Sequence, residues 1–89
     1  MDIINEITVV MNLCEDEAKK GNTAYFKTII KILIEMKDTL ANGSLNPKQQ
    51  VLYSSGLTKI VLDNYSIAMS DLGMKILNIS SLYAKYEAR

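Results

Sequence analysis

The groups in this chain that could do covalent or acid–base chemistry are few. Among 89 residues there is no histidine and one cysteine, Cys14, so the commonest general acid–base group and metal ligand is missing. Cys14 has no imidazole to generate a thiolate. It falls among apolar residues, where a small buried hydrophobe is expected rather than a nucleophile. A lone thiol also excludes an intrachain disulfide and a cysteine-rich metal site. Glu15, Asp16 and Glu17 are consecutive, and three successive side chains on a helix point to different sides, so they read as a solvated face. Glu35 and Asp38 stand three apart and could share a face, but Lys31 and Lys37 lie beside them and surface ion pairing is the expected use. The turn "NGSLNPK" contains glycine and lysine but lacks the preceding strand that a phosphate-binding loop needs. No catalytic residue, cofactor site or metal site is expected, and an enzyme is disfavoured.

Recognition is the chemistry that remains. Tyr25, Tyr53, Tyr65, Tyr83 and Tyr86 each join an apolar ring to a polar tip, a combination enriched at interfaces. Ten basic and ten acidic residues leave no net charge, whereas a nucleic-acid face needs a basic excess to displace counterions. Lysines group at Lys19-Lys20 and at Lys27, Lys31 and Lys37, but acids offset them, so DNA binding is the weakest alternative. No small-molecule substrate is indicated.

With 48% apolar and 22% charged residues, the composition is that of a globular protein rather than a disordered one. The length suits one domain over residues 1–89. The start "MDIINEI" has no basic stretch followed by a long apolar run, so no secretory signal is expected. The runs "VVM" and "IIKILIEM" fall far short of the ~20 apolar residues that span a bilayer. A cytoplasmic protein is expected. The second amphipathic segment pairs an apolar face with lysines, which leaves peripheral membrane association as a lesser expectation.

These side chains must be positioned by helices, because no segment alternates as a half-buried strand does. Gly21-Asn22, Asn42-Gly43-Ser44 and Asn64 to Ser70 divide the chain into four pieces. The first, about Asp2 to Lys20, repeats Ile3, Ile7, Val10 and Cys14 at helical spacing. Asp2 is placed to cap it, Lys19 and Lys20 suit its last turn, and Gly21 is expected as a left-handed C-cap. The second, from Asn22-Thr23 to about Ala41, carries Phe26, Ile29, Ile30, Leu33, Met36 and Leu40 as a wide stripe.

The third piece opens on "NPKQ", with Asn46 as N-cap, Pro47 at the first helical position and Gln49 three residues after the cap. Ser54-Ser55-Gly56 in its middle predicts close approach of a neighbouring helix. The fourth begins at the Ser70 cap, and Met69, Leu72, Ile76, Ile79, Tyr83 and Tyr86 form a seven-residue seam read as core. Within the connection, Ile67 and Met69 alternate with Ser66 and Ala68. A two-residue period would fold both inward and leave Tyr65 exposed. Four amphipathic segments with short joins predict an all-α antiparallel four-helix bundle.

From Asn46 to Ile79 the chain runs "NPKQQ" into a helix, then "LDNYSIAMSD" as a turn with spaced apolar residues, then "GMKILNISSLY". This layout, with the order of helix lengths and the balanced charge, resembles the immunity proteins that protect lactic acid bacteria from their own class IIa, pediocin-like bacteriocins. The resemblance implies a four-helix bundle in the producer's cytoplasm. It implies a partner too: the mannose phosphotransferase-type permease in complex with bacteriocin, recognised from the cytoplasmic side so that the pore is blocked. In that family specificity is associated with the C-terminal half, and many relatives extend further past the fourth helix than Arg89. Carried onto this chain, the resemblance points to Tyr65, Lys75, Asn78, Lys85, Tyr86 and Arg89 as partner-binding residues. The alternative from the residues alone is a small helical adaptor or regulator, of phage or plasmid type, that binds a transcription factor or toxin.

Overall fold

In the computed structural model, which describes residues 2–87, the chain is all-helical. The elements are α1 (Ile3–Lys20), α2 (Thr23–Ala41), α3 (Pro47–Leu62), α4 (Tyr65–Ala68) and α5 (Asp71–Lys85). The starts of α1, α3 and α5 each have a local cause. Asp2 accepts from the Ile4 N–H, Asn46 from those of Lys48 and Gln49, and Ser70 from that of Gly73. These bonds satisfy donors that a helix N-terminus otherwise leaves open. At the α1–α2 join the expectation is corrected in detail. Gly21 takes φ +144°, ψ −164°, a region that only glycine adopts freely, and Asn22 is the left-handed residue at φ +40°. The α2 end turns on Gly43 at φ +64°.

The core is one cluster. Ile7, Val10 and Cys14 of α1 meet Phe26, Ile29, Leu33 and Met36 of α2, with Leu57 and Val61 of α3 and Ile76, Ile79 and Tyr83 of α5. α1 packs on α2 and α5, and α3 packs on α5 and, less extensively, on α2. The 3.6-residue period of the apolar positions dictates this clustering, because only those positions share one side of each helix.

The expected fourth piece holds from Ser70, but its seam is shorter than the sequence pattern implies. Leu72 is half-buried and Ile76, Ile79 and Tyr83 are buried, whereas Met69 is 67% exposed and Tyr86 39% exposed. Both outliers lie beyond the helix: Met69 ends α4, and Tyr86 follows α5 in an extended conformation at φ −66°, ψ 133°. Helical periodicity cannot place a residue that is not helical.

The connection before it is also corrected. It is not extended; Asn64 caps a single turn, accepting from the Ile67 N–H, and Tyr65–Ala68 form α4. A helical turn puts the neighbours Ile67 and Ala68 against the core and turns Tyr65 and Met69, four apart, outward. Ile67 and Tyr65 therefore behave as expected, and Met69 does not.

Close approach of α3 to a neighbour is present, but not at Gly56, where an added Cβ would meet nothing within 4 Å. It occurs at Ser54, whose carbonyl accepts from Ser80 Oγ of α5 at 2.6 Å. The tighter contact was not expected from the sequence. A Cβ on Gly73 would stand 1.7 Å from the Ile67 carbonyl oxygen, so the packing of α4 on the first turn of α5 requires glycine there.

Candidate recognition surface

The hydroxyl and amide groups of α3 and α5 fix the C-terminal half. Ser80 Oγ spends its one proton on the Ser54 carbonyl, so the 2.6 Å contact between Thr58 Oγ1 and Ser80 Oγ has Thr58 as donor. Thr39 Oγ1 donates to the Met36 carbonyl, and the buried Tyr83 hydroxyl accordingly donates to Thr39 Oγ1 at 2.7 Å. No buried side-chain nitrogen or oxygen among the described residues lacks a partner, which spares the fold the desolvation penalty of an orphaned polar group.

The end of α5 is held from a distance. Tyr86 rather than glycine follows it, and the Tyr86 N–H bonds the Tyr83 carbonyl at 3.2 Å. Gln50 Nε2 donates to the carbonyls of Tyr83 at 2.7 Å and Tyr86 at 2.6 Å. No local signal could have revealed this, since donor and acceptors are more than thirty residues apart. Ser70 and Gly73 were also missed as a unit. Ser70 Oγ donates to the Ile67 carbonyl at 2.6 Å and accepts from the Gly73 N–H at 3.0 Å, tying α4 to α5. A glycine inside the first turn of an otherwise good helix was the available clue.

Of the six partner-binding residues expected from the sequence, the five described do not form one patch. Tyr65 is 77% exposed on α4, ahead of α5, whereas Tyr86 lies after it. The 15 residues of α5 separate them by about 22 Å along its axis. Lys75, Asn78 and Lys85 are exposed on α5, and their spacing of three and seven places them on one side. Arg89 lies outside the described residues. Lys75 borders a depression of about 470 Å³ between α1 and α5, with Phe26, Ile67 and Leu72 on its walls and Asp16, Lys20 and Asp71 around it. A larger open groove of about 800 Å³ runs between α3 and α5, walled by Val51, Ser55, Thr58 and Leu62 on one side and Leu77, Ser81 and Ala84 on the other.

The titratable groups are arranged against reactivity. Cys14 is fully buried, and its pKa is pushed up to about 12, first by burial and then by the Glu17 and Glu15 carboxylates. It is a thiol at neutral pH, so it cannot act as a thiolate nucleophile or ligand. Two ion pairs form among the described residues, Lys20–Glu17 and Lys59–Asp63, both exposed. Glu35 is in neither. It lies beside Tyr53, whose phenol is raised above its usual value by partial burial first and by that carboxylate second. No group of three or more acidic or thiol side chains among the described residues could hold a metal ion. No described helix is long and apolar enough to cross a membrane.

Comparison with known proteins leaves the geometry to speak for itself. No protein-family model matches the chain, and no curated protein or solved structure is significantly similar to it.

Proposed function

We propose that this protein is a bacteriocin immunity factor: a cytoplasmic antiparallel four-helix bundle, with α4 elaborating its last join, that recognises a bacteriocin-occupied mannose-type permease. The action is binding, without chemistry. The observation that carries it is Tyr65. The α4 turn sets a half-buried Ile67 against the core and leaves Tyr65 77% exposed, inside the stretch whose layout resembles the immunity proteins. A large exposed aromatic is a ready anchor, because its ring offers apolar surface and its hydroxyl a hydrogen bond to a partner. Lys75, Asn78, Lys85 and Tyr86 add exposed polar and aromatic contacts along and beyond α5, and Arg89 extends that series in the sequence.

The test is expression in a bacteriocin-sensitive strain, followed by challenge with a panel of pediocin-like peptides. At least one peptide should lose potency, and Tyr65→Ala should restore it. If every peptide kills the expressing and control cells at equal doses, the reading fails. The α3–α5 groove favours a second reading, a helical adaptor that holds a segment of a soluble regulator or toxin. Capture from the native host separates the two, with a sugar permease recovered in one case and a soluble protein in the other.

A further inference from the structure

Two rows of side chains on the outer surface are spaced like helix–helix seams but have no helix against them. On α3, Val51, Ser55, Thr58 and Leu62 are spaced four, three and four; on α5, Met74, Leu77, Ser81 and Ala84 are spaced three, four and three. This alternation keeps each row on one side of its helix. The core is served by other positions, Leu57 and Val61 on α3 and Ile76, Ile79 and Tyr83 on α5, so these are second seams. Val51, Leu62 and Met74 are 65%, 58% and 63% exposed. The rows themselves carry no charge; Lys59 and Asp63, paired with each other at 3.8 Å, border the groove on the α3 side.

The two rows are also in register. Gln50 reaches Tyr83 and Tyr86, the ring of Tyr53 lies 6.4 Å from that of Tyr83, and Thr58 reaches Ser80. Positions on α5 thus fall as those on α3 rise, and the two helices run in opposite directions. By that register Val51 is level with Ala84, Ser55 with Ser81, Thr58 with Leu77 and Leu62 with Met74.

We propose that this face binds a second copy of the chain about a two-fold axis that runs along the helices, midway between α3 and α5. That operation lays α3 of one copy over α5 of the other without changing level. Val51 then meets the partner's Ala84 and Leu62 the partner's Met74, while Thr58, its hydroxyl turned to Ser80, meets the partner's Leu77, so these three levels pair mainly apolar surface. At the middle level Ser55 meets the partner's Ser81, and two small side chains let the backbones approach. Laying α3 on α3 instead, centred on the same row, would bring the two Lys59 side chains within about 8 Å along the axis.

The molecule measures 39 × 22 × 21 Å. A long face of that size can supply the ~800 Å² per partner of a standard interface. Asn78 and Lys85 would flank the covered seam, whereas Tyr65 lies off it on α4. The inference does not rest on the immunity reading, and its test uses the purified protein without bacteriocin or permease.

Light scattering after size separation should give twice the 10.0 kDa of one chain at high concentration and a fall toward one chain on dilution. Ser81→Arg and Met74→Glu, both at exposed positions, should hold the protein at one-chain mass with unchanged helical circular dichroism. Register is read with thiols, because buried Cys14 does not compete for reagent. Mixing the Ser55→Cys chain with the Ser81→Cys chain should give a cross-linked pair with a short bifunctional thiol reagent, and neither chain alone should. A one-chain mass up to about 1 mM, or cross-linking of Ser55→Cys with itself, would overturn the proposal.

Discussion

The α1–α2 pair and the α3–α5 pair close against each other with different side chains. Between α1 and α2 the contact is made by Ile7, Val10, Cys14, Phe26, Ile29, Leu33 and Met36, which are held by shape and exclusion of water. Between α3 and α5 the close contact is made by Ser54, Thr58, Ser80 and Gln50, linked by hydrogen bonds. Hydrophobic burial is strong but non-directional. Hydrogen bonds contribute less each, yet they fix one register. The large exposed apolar residues follow the same division: Val9, Leu13 and Ile34 in the first pair, and Val51, Leu52, Leu62, Tyr65, Met69, Met74 and Tyr86 in the second half. The first pair therefore supplies seven of the twelve core residues, and the second, which supplies the other five, is in addition a hydrogen-bonded platform of fixed register that presents surface.

That contrast can be broken most decisively at Phe26, which is buried at the α1–α2 contact. Phe26→Ala should lower stability by ~3–5 kcal/mol in urea titration, and a much smaller loss would show that the first pair does not dominate. Gly73→Ala comes next, because its Cβ would strike the Ile67 carbonyl. A loss of about 3 kcal/mol is expected, whereas Gly56→Ala, in open helical space, should stabilise by ~0.5–1 kcal/mol. Equal effects at the two glycines would remove the structural role of α4.

Ser80→Ala deletes a buried donor to the Ser54 carbonyl and the acceptor for Thr58. About 1–3 kcal/mol should be lost, with amide exchange accelerating in α3 and α5 rather than in α1 and α2. Exchange that rises equally everywhere would mean that the hydroxyls carry no local register.

A pH scan sharpens the comparison at Cys14. Its pKa in the fold, about 12, lies above that of an unfolded thiol, so between those values the unfolded chain holds fewer protons. Stability contributed by the buried thiol is complete below about pH 8.5 and declines as pH rises, by ~1.4 kcal/mol per unit at most. The raised Tyr25 and Tyr53 phenols act in the same direction at higher pH. Cys14→Ala should flatten the loss between about pH 9 and 10, and an unchanged slope would assign it to the tyrosines. The smallest stability effect is expected at Tyr65. Tyr65→Ala should change stability by under ~0.5 kcal/mol while abolishing recognition. Ile67→Ser should reduce stability, and equal melting-temperature losses from the two would erase the distinction between anchor and platform.

Much of this molecule could be read before it was seen. The caps Asp2, Asn46 and Ser70 and the stripes of α1 and α2 depend only on neighbours within one or two turns. Helical spacing and local donors and acceptors were enough to place them. The outward Tyr65 and the inward Ile67 are legible too, although the two-residue period predicts an extended segment where the structure forms a helical turn. Met69 and Tyr86 were misplaced because a seam drawn by periodicity runs past the true helix ends.

By itself, then, the amino-acid order determined an all-helical chain, its caps, its aliphatic core and the poverty of its reactive groups. The tertiary structure alone decided that α4 forms, that Gly73 must be glycine, that Gln50 closes α5 and that an apolar groove stays open between α3 and α5. Each of these depends on atoms brought together from distant positions or on a backbone contact with no sequence period. Local rules specify which side of a helix is apolar; only the packed arrangement specifies which apolar side is left uncovered.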